Sequence, residues 1–279
     1  MSITTVDQLA KAMRTSQPVL YSKASRGGSN SFNVGTSFWA QSGFPVAGGL
    51  PASTSTCNHL TSGALPFVQQ QSPRKTYVAA MTGSVNAAND HFTTELHDRL
   101  IVTGSITGDL DTLQSLGGDL DSFLATDNID ARKGNSNYSE VMWTYESTAI
   151  HGATPATATI EVTYNDGSIG NLNSFTANGL DAAYMLALAS LIPDADQGKY
   201  IRGVNSIIYS AVVGGSARIV ASRYRASVTG EFFFQKARTN LWDNVALPEI
   251  HNSSCLYFRG VYNGTTTGDI RGTIHFVYG

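Results

Sequence analysis

The sequence predicts a mainly β protein, an antiparallel sandwich or barrel that carries one N-terminal helix and a long extended loop. Runs of alternating apolar and polar residues recur along the 279 residues, and turns that contain glycine separate them. The composition agrees, because 27 glycines with abundant Thr, Ser, Ala and Asn favour short strands and turns over long helices. Many strands with few helices indicate antiparallel β architecture.

The chain begins with a segment that predicts a short amphipathic helix. Thr5 and Gln8 have the spacing of a capping box, and apolar residues follow at helical intervals up to Met13. The helix is expected to end near Ser16, before Pro18. An extended segment then begins at Pro18.

Residues 42–73 form a long stretch in which neither the helical nor the strand period persists, because glycines and prolines interrupt it. Loops of this length inside a compact domain are unusual and often functional. Two interpretations stay open: an arm that lies on a partner subunit, or a loop that folds over its own domain through side chains such as Phe44 and Leu50. The predicted division is therefore residues 1–75, helix and arm, and residues 76–279, the β-sandwich domain.

The clearest strand pattern lies in residues 138–170. Apolar residues around Trp143 alternate with polar ones, which predicts that Trp143 belongs to the core. Asn165-Asp166-Gly167 tolerate positive φ, so they predict a hairpin turn after the second strand. Three glutamates of this stretch are expected at solvated or edge positions: Glu140, Glu146 and Glu161.

The helical and strand periods also predict the remaining elements. The stretch Leu180 to Ile192 fits a helix by its Ala and Leu content and a strand by its alternation, so both interpretations stay open. Residues 95–102 are read as a short β or mixed segment. Other strand-like segments are residues 36–39, 76–81, 200–209, 217–225, 256–262 and 273–278.

Charge and hydropathy exclude several function classes. Charged residues are only 14% of the chain and the net charge is −3, so there is no sequence-wide attraction for nucleic acid or an anionic membrane. The first residues lack the basic and apolar regions of a secretory signal, and no apolar run approaches the roughly 20 residues of a membrane helix. We expect a soluble protein made in a cytoplasm, with neither nucleic acid nor membrane as a partner.

Cysteine and histidine usage predicts no metal site. Cys57 and Cys255 lie far apart and neither has a zinc-ligand pattern around it; lone buried thiols are favoured over a disulfide. His97 and Asp98 are adjacent, which in a strand directs their side chains to opposite faces. The other histidines are scattered, so we expect no catalytic residues, no metal, no cofactor and no enzymatic activity.

Two Gly-Asp-Leu-Asp elements, at residues 108–111 and 118–121, place carboxylates two positions apart. Oxygen ligands at that spacing can contribute to a calcium site, yet neither element has the other ligand positions of an EF-hand loop. The favoured interpretation is a turn in which Asp caps backbone amides and Leu packs inward.

Aromatic residues near residue 233 predict an interface. Three successive phenylalanines in a strand must face both sides of a sheet, so one side needs a cover from a second layer or from a neighbouring subunit. Trp242 raises the same question. The candidate interface residues are Phe232, Phe233, Phe234, Trp242, Phe44 and Leu50. A separate set of arginines, Arg218, Arg223 and Arg225, is either a patch for an acidic partner or a solvated strand face.

Five segments between Leu96 and Arg225 follow one another in a recognisable order. They are Leu96–Leu100, Ser139–Ala149, Ala158–Gly170, Tyr200–Ile207 and an Ala-Arg-Ile-Val strand with nearby arginines. In this order they resemble β-rich structural proteins encoded by tailed bacteriophages. The resemblance covers a little under half of the chain, and the order of the segments carries more weight than any one of them.

The resemblance implies a virion component without enzymatic activity, assembled in the host cytoplasm. A decoration or cement protein of the head is expected, a homo-oligomer that contacts the major capsid protein or other virion proteins; a position in the tail or neck is the alternative. The expected fold is a jelly-roll-like or immunoglobulin-like sandwich with the helix and loop as extensions.

Two other function classes stay open. A carbohydrate- or receptor-binding virion protein would stack sugars on Trp39, Trp143 or Trp242. A hydrolase would require acids that are distant in sequence to converge in space.

Overall fold

A computed structural model describes residues 3–16, 18–25, 34–86, 92–230, 238–242, 247–262 and 268–279. Strands dominate it. The helices and strands in chain order are α1 (Val6–Thr15), β1 (Pro18–Lys23), β2 (Val34–Ser37), β3 (Gly43–Phe44), β4 (Ser55–Thr56), β5 (Thr76–Asn86), β6 (Phe92–Val102), β7 (Ile106–Thr107), β8 (Gln114–Asp119), α2 (Ile129–Arg132), β9 (Val141–Ala149), β10 (Thr157–Tyr164), β11 (Ile169–Asn171), β12 (Phe175–Thr176), β13 (Tyr184–Ala187), β14 (Ile201–Tyr209), β15 (Ser216–Gly230), β16 (Arg238–Leu241), β17 (Glu249–Ile250), β18 (Leu256–Tyr262) and β19 (Asp269–Tyr278). Short 3-10 turns at Leu120–Phe123, Leu188–Leu191 and Asp194–Asp196 complete the set.

The chain forms two compact units. Unit 1 comprises Met1–Gly49, Asn58–Asp98 and Tyr224–Gly279, and unit 2 comprises Leu50–Cys57 and Arg99–Arg223. The predicted division between residues 75 and 76 falls inside unit 1. The mainly β, antiparallel prediction is confirmed, whereas the sandwich arrangement stays a prediction.

Unit 1 is built on a six-stranded antiparallel sheet. Its strand order is β16-β5-β19-β1-β3, with β17 also paired to β5. Strands β6, β18 and β2 form a second set of antiparallel pairs in this unit. The core takes side chains from both sets; for example, the rings of Tyr21 on β1 and Phe258 on β18 stack with centroids 4.3 Å apart.

Unit 2 contains a sheet of order β11-β10-β14-β8, in which β12 also pairs with β10. A second set of strands pairs in the order β13-β9-β15-β7. Trp143 on β9 is buried in the core of this unit, and its indole Nε1 donates to the Ile201 carbonyl at 2.9 Å. The prediction that Trp143 belongs to the core is confirmed.

The N-terminal helix has the predicted capping. The Gln8 backbone N–H donates to the Thr5 hydroxyl at 3.3 Å, and the Gln8 side chain accepts from the Thr5 backbone N–H at 3.2 Å. Helix α1 ends at Thr15, with Ser16 as its C-cap. Among the described residues, none of the helices combines the length and apolar character that crossing a membrane requires.

The two strands predicted in residues 138–170 are β9 and β10. Strand β9 pairs with β13 and β15, whereas β10 pairs with β11, β12 and β14. The predicted hairpin turn after the second strand is confirmed, since the Asn-Asp-Gly turn joins β10 to the short antiparallel strand β11. Gly167 has a φ of 84°, and Asp166 accepts from the Ser168 backbone N–H at 2.9 Å.

The stretch Leu180 to Ile192 contains strand β13 followed by a 3-10 turn. The strand interpretation is correct for residues 184–187. Pairing with β9, in which Met185 lies opposite Glu146, fixes the strand there despite the helix propensity of Ala and Leu.

Along much of residues 42–73 the contacts within each unit support the second interpretation, a loop that folds over its own domain. In unit 1, the indole of Trp39 donates to the Gly49 carbonyl at 2.9 Å, and Leu65 is fully buried. In unit 2, the Cys57 backbone N–H donates to the Leu100 carbonyl at 2.9 Å, and the buried Arg132 guanidinium donates to the Cys57 carbonyl at 2.8 Å. The loop is fixed because buried donors of its own unit satisfy its carbonyls.

Some of the charged residues that the sequence predicts at the surface are instead buried. Glu146 is buried, and its carboxylate lies 3.3 Å from the Arg99 guanidinium. Arg218 is also buried and donates to the carbonyls of Pro51 and Thr103. Arg223 pairs with Glu140, so the arginine-rich strand is neither an exposed patch nor a solvated face. Cys57 and Cys255 are buried and form no disulfide, as the sequence favoured.

Candidate interface on the six-stranded sheet

The outer face of the unit 1 sheet begins with the alternation of strand β1. Tyr21 and Lys23 point into the core, whereas Pro18 and Leu20 are exposed. Leu20 remains 67% exposed at the centre of a paired strand. An exposed leucine is ordinary alone, so its neighbours decide whether it belongs to a patch.

The register of the sheet places Leu20 beside other exposed groups. Leu20 lies opposite Thr273 of β19, and Ser22 lies opposite Phe44 of β3, which is 46% exposed. Because directly opposed residues share a face, these side chains line one surface. They border a groove of about 830 Å³, lined by Pro18, Val19, Leu20, Tyr21, Ser22, Phe44, Thr82, Gly83, Ser84, Arg271, Gly272 and Thr273.

The groove has a rigid floor. The Tyr21 hydroxyl donates to the Thr82 carbonyl at 2.7 Å beneath two glycines that face each other, Gly83 and Gly272. A Cβ at Gly272 would lie 2.6 Å from the Tyr21 hydroxyl oxygen, so this floor requires glycine there. Burial raises the pKa of Tyr21, which keeps the hydroxyl a donor. On the outer side, the hydroxyls of Thr82 and Thr273 are 2.7 Å apart.

Helix α1 covers the other end of this sheet. Leu9 is buried against Ala79 of β5 and Val277 of β19. The face of the sheet is therefore covered at the α1 end and exposed around Leu20 and Phe44.

Arg271 supplies the charge of the groove. Its side chain is exposed, and its guanidinium lies 3.7 Å from the Asp269 carboxylate, which also accepts from the Ser25 backbone N–H at 2.7 Å. An ion pair at this distance and exposure contributes little stability. Arg271 is thus available for an acidic group of a partner.

The predicted interface residues fall in different places. Phe44 lines the groove, Leu50 is exposed at the first residue of unit 2, and Trp242 is exposed just after β16. Phe232, Phe233 and Phe234 lie outside the described residues. The interface role of all six stays a prediction. Leu20 could not be identified from the sequence, because its exposure depends on which face of β1 packs against the core.

The side chains considered as catalytic candidates are instead buried and paired inside the protein. His97 is buried, its Nε2 lies 3.0 Å from the Glu95 carboxylate, and burial lowers its pKa. Asp98, on the opposite face, accepts from the Arg225 guanidinium at 3.1 Å. Over the described ranges, no group of three metal-ligating side chains comes together.

The two Gly-Asp-Leu-Asp elements behave differently. Asp119 accepts from the Asp121 backbone N–H at 3.0 Å and caps the following 3-10 turn, while Leu120 is buried, as the turn interpretation predicts. In the first element the prediction of an inward leucine is wrong, because Leu110 is exposed. Two of the tryptophans considered for sugar stacking, Trp39 and Trp143, are buried, which leaves Trp242.

The comparisons with known proteins return limited likeness. No family model matches the chain, and no characterised protein matches it. A chain of the infectious bursal disease virus Gx strain is 10% identical, with 95% of this chain and 80% of that chain covered and a TM-score of 0.15.

Two further structures of that virus are similar at the same level. T=1 particles derived from it give 12% identity, 95% and 78% coverage and a TM-score of 0.16. A VP2 subviral particle gives 12% identity, 94% and 80% coverage and a TM-score of 0.16. At these TM-scores the likeness carries no argument about fold or function.

Proposed function

We propose that the protein is a non-enzymatic structural component of a bacteriophage virion, a decoration or cement protein that stabilises the head through multimeric contacts with the major capsid protein. The observation that carries the proposal is the rigid, exposed apolar groove around Leu20 and Phe44. Apolar patches of this kind are typical of protein interaction sites. The resemblance to tailed-bacteriophage structural proteins supports the choice of a virion.

The absence of enzymatic activity is part of the same proposal. Its support is the role of His97, Asp98 and Asp119, each of which is engaged in ion pairs or caps that hold the fold. Catalysis requires a titratable group that can reach a reacting atom.

Sedimentation with capsid shells tests the proposal. The wild-type protein is expected to co-sediment with shells, and the double variant Leu20→Ser with Phe44→Ser is expected to lose binding, because the groove loses its apolar side chains. Leu60→Ser, which changes an exposed leucine outside the groove lining, is the matched control and should bind normally. Failure of the wild-type protein to bind head, tail or neck particles would refute the proposal.

A receptor- or carbohydrate-binding virion protein is the second candidate. The exposed Trp242 favours it, because indole rings in contact with solvent stack on sugars, whereas Trp39 and Trp143 are buried. Binding of the wild-type protein to a glycan array, lost in Trp242→Ala and retained in Leu20→Ser with Phe44→Ser, would favour this candidate over the first.

A further inference from the structure

The β7–β8 loop of unit 2, Asp109–Leu113, has all five residues exposed. Its two leucines, Leu110 and Leu113, are 46% and 63% exposed. The carboxylates of Asp109 and Asp111 flank Leu110. The loop is therefore an apolar projection that carries negative charge.

The base of the loop is clamped. The Gln114 side chain donates to the Thr107 carbonyl at 2.8 Å and accepts from the Thr107 backbone N–H at 3.0 Å. Just beyond Thr107, the Gly108 carbonyl accepts from the backbone N–H groups of Val213 and Gly214 at 2.8 and 2.9 Å.

The clamp leaves no room for a side chain at Gly108. A Cβ there would lie 1.8 Å from the Gly214 carbonyl oxygen. A projection fixed at its base loses little conformational entropy when it binds. The loop is therefore organised for docking before it meets a partner.

The loop and the groove of unit 1 have complementary chemistry. The groove has exposed apolar side chains, Leu20 and Phe44, and one exposed cation, Arg271. The loop has exposed apolar side chains and two carboxylates. Opposite charge beside matched apolar surface favours association and selects the partner.

We propose that the Asp109–Leu113 loop of one copy docks in the groove of a second copy. The leucines of the loop pack against Leu20 and Phe44, and the Asp111 carboxylate faces Arg271, since the Asp109 carboxylate already accepts from the Thr107 hydroxyl at 3.2 Å. The inference rests on the proposed function, in which the protein acts on the shell as a multimer: it assigns the groove to the contact between copies, so the groove variant loses shell binding because it loses multimerisation. The two surfaces differ, so the contact is heterologous and can continue from copy to copy as a ring or an open array.

A contact made by five residues is small for a protein interface, so each contact is expected to be weak and concentration-dependent. Copies ordered on a particle surface would reinforce it through multivalency. This behaviour suits a protein that associates partly in free solution and completely on a shell.

A mixing experiment tests the head-to-tail contact. The groove variant is Leu20→Ser with Phe44→Ser, and the loop variant is Leu110→Ser with Leu113→Ser. Sedimentation velocity should show wild-type protein forming dimers and larger species, and each variant alone as a monomer.

The mixture distinguishes this contact from a symmetric one. The intact loop of the groove variant should bind the intact groove of the loop variant, so the mixture should form one-to-one dimers and nothing larger. Dimerisation of the loop variant by itself would overturn the proposal, as would a wild-type protein that stays monomeric at high concentration. Circular dichroism and urea unfolding of both variants establish that they are folded.

Charge exchange gives an independent readout. Arg271→Asp and Asp111→Arg should each weaken association by about threefold to tenfold, and the double variant should recover it, because the pair is restored with reversed sign. No recovery, with both single variants folded, would contradict the contact.

Particle binding separates this inference from the proposed function. If the loop variant associates normally while the groove variant fails to bind shells, the inference fails and the proposed function stands. If self-association follows the mixing result while the wild-type protein binds no particle, the proposed function fails and the contact stands.

Discussion

Lys23 is an unusual residue, because it is a lysine buried in strand β1. Its ammonium donates to the carbonyls of Gln41 at 2.9 Å and Val46 at 3.2 Å, which fixes the start of the 42–73 loop. Burial lowers the pKa of Lys23 to about 8. The charged form is therefore disfavoured in the folded protein, although both carbonyls still accept its hydrogen bonds.

The pH dependence of unfolding should report this lysine. In the unfolded chain Lys23 stays protonated up to its ordinary pKa of about 10.4, whereas in the folded protein it deprotonates near pH 8. The unfolded state then binds more protons between these values, so the contribution of Lys23 to the free energy of unfolding rises with pH across that window. The rise should be on the order of 1–3 kcal/mol.

Urea unfolding at pH 8 and pH 10 measures the effect. Lys23→Met should lack this increment, and Lys11→Met, at an exposed position of α1, should retain it. Equal pH dependence in wild type and Lys23→Met would show that Lys23 titrates normally in the folded protein.

Asp98 connects three parts of unit 1. Its carboxylate accepts from the Arg225 guanidinium at 3.1 Å, the Ser254 hydroxyl at 2.9 Å and the Cys255 backbone N–H at 2.8 Å. Asp98→Asn should lower the free energy of unfolding by about 3–5 kcal/mol, because it leaves the buried Arg225 beside a neutral amide.

Denaturant unfolding of Asp98→Asn is the measurement. Asp111→Asn, an exposed carboxylate in the β7–β8 loop, should change the free energy of unfolding by less than about 0.5 kcal/mol. Similar small losses in both variants would mean that the Asp98 network contributes little.

The β10–β11 turn allows the cost of a left-handed backbone conformation to be measured without any steric clash. Gly167 has a φ of 84°, and a Cβ at this position would meet no atom within 4 Å. Gly167→Ala should therefore cost about 1–2 kcal/mol through left-handed backbone strain alone. Gly49 is the matched control, since a Cβ there also meets nothing within 4 Å and its φ is not in the left-handed region.

Thermal unfolding of the two alanine variants makes the comparison. Gly167→Ala should lower Tm, and Gly49→Ala should leave it nearly unchanged. A similar loss in both would mean that lost flexibility or solvation, and not φ, sets the effect.

Elements with local signals could be predicted from the sequence. Helix α1 follows from Thr5 and Gln8, and the turn follows from Asp166 and Gly167, because these residues contact their own neighbours in the chain. The partners of strand β9 could not be predicted, since Glu146 pairs in register with Met185 on one side and with Arg218 on the other. Residues 143–147 of β9 are also buried on both faces of the strand, which simple alternation does not report.

The candidate interface was predictable only in part. Phe44 was identified as an apolar side chain of the Gly- and Pro-rich stretch 42–73. Leu20 was not, because its exposure depends on pairing with residues about 250 positions away. Leu110 was expected to pack inward, and the clamp from Gln114 to Thr107 holds it outward instead. For Leu20 the deciding contact is distant in the sequence, whereas for Leu110 it joins two residues seven positions apart, and alternation reports neither contact.

At the scale of the whole molecule, the described residues include two different apolar surfaces that could meet, the groove of unit 1 and the Asp109–Leu113 loop of unit 2. If copies associate through them, folding and association are linked, because the folded protein has both surfaces and the unfolded chain has neither. Stability should then depend on protein concentration, even though each copy folds by itself.

Calorimetry across a hundredfold range of protein concentration should detect this linkage. The Tm of the wild-type protein should rise with concentration, since association stabilises only the folded state. The groove variant Leu20→Ser with Phe44→Ser should have a Tm that does not depend on concentration, and Leu60→Ser should behave as wild type because residue 60 lies outside the groove lining. A rise in all three proteins would place the association on another surface, and a wild-type Tm that stays constant would mean that the groove is not occupied by a second copy in solution.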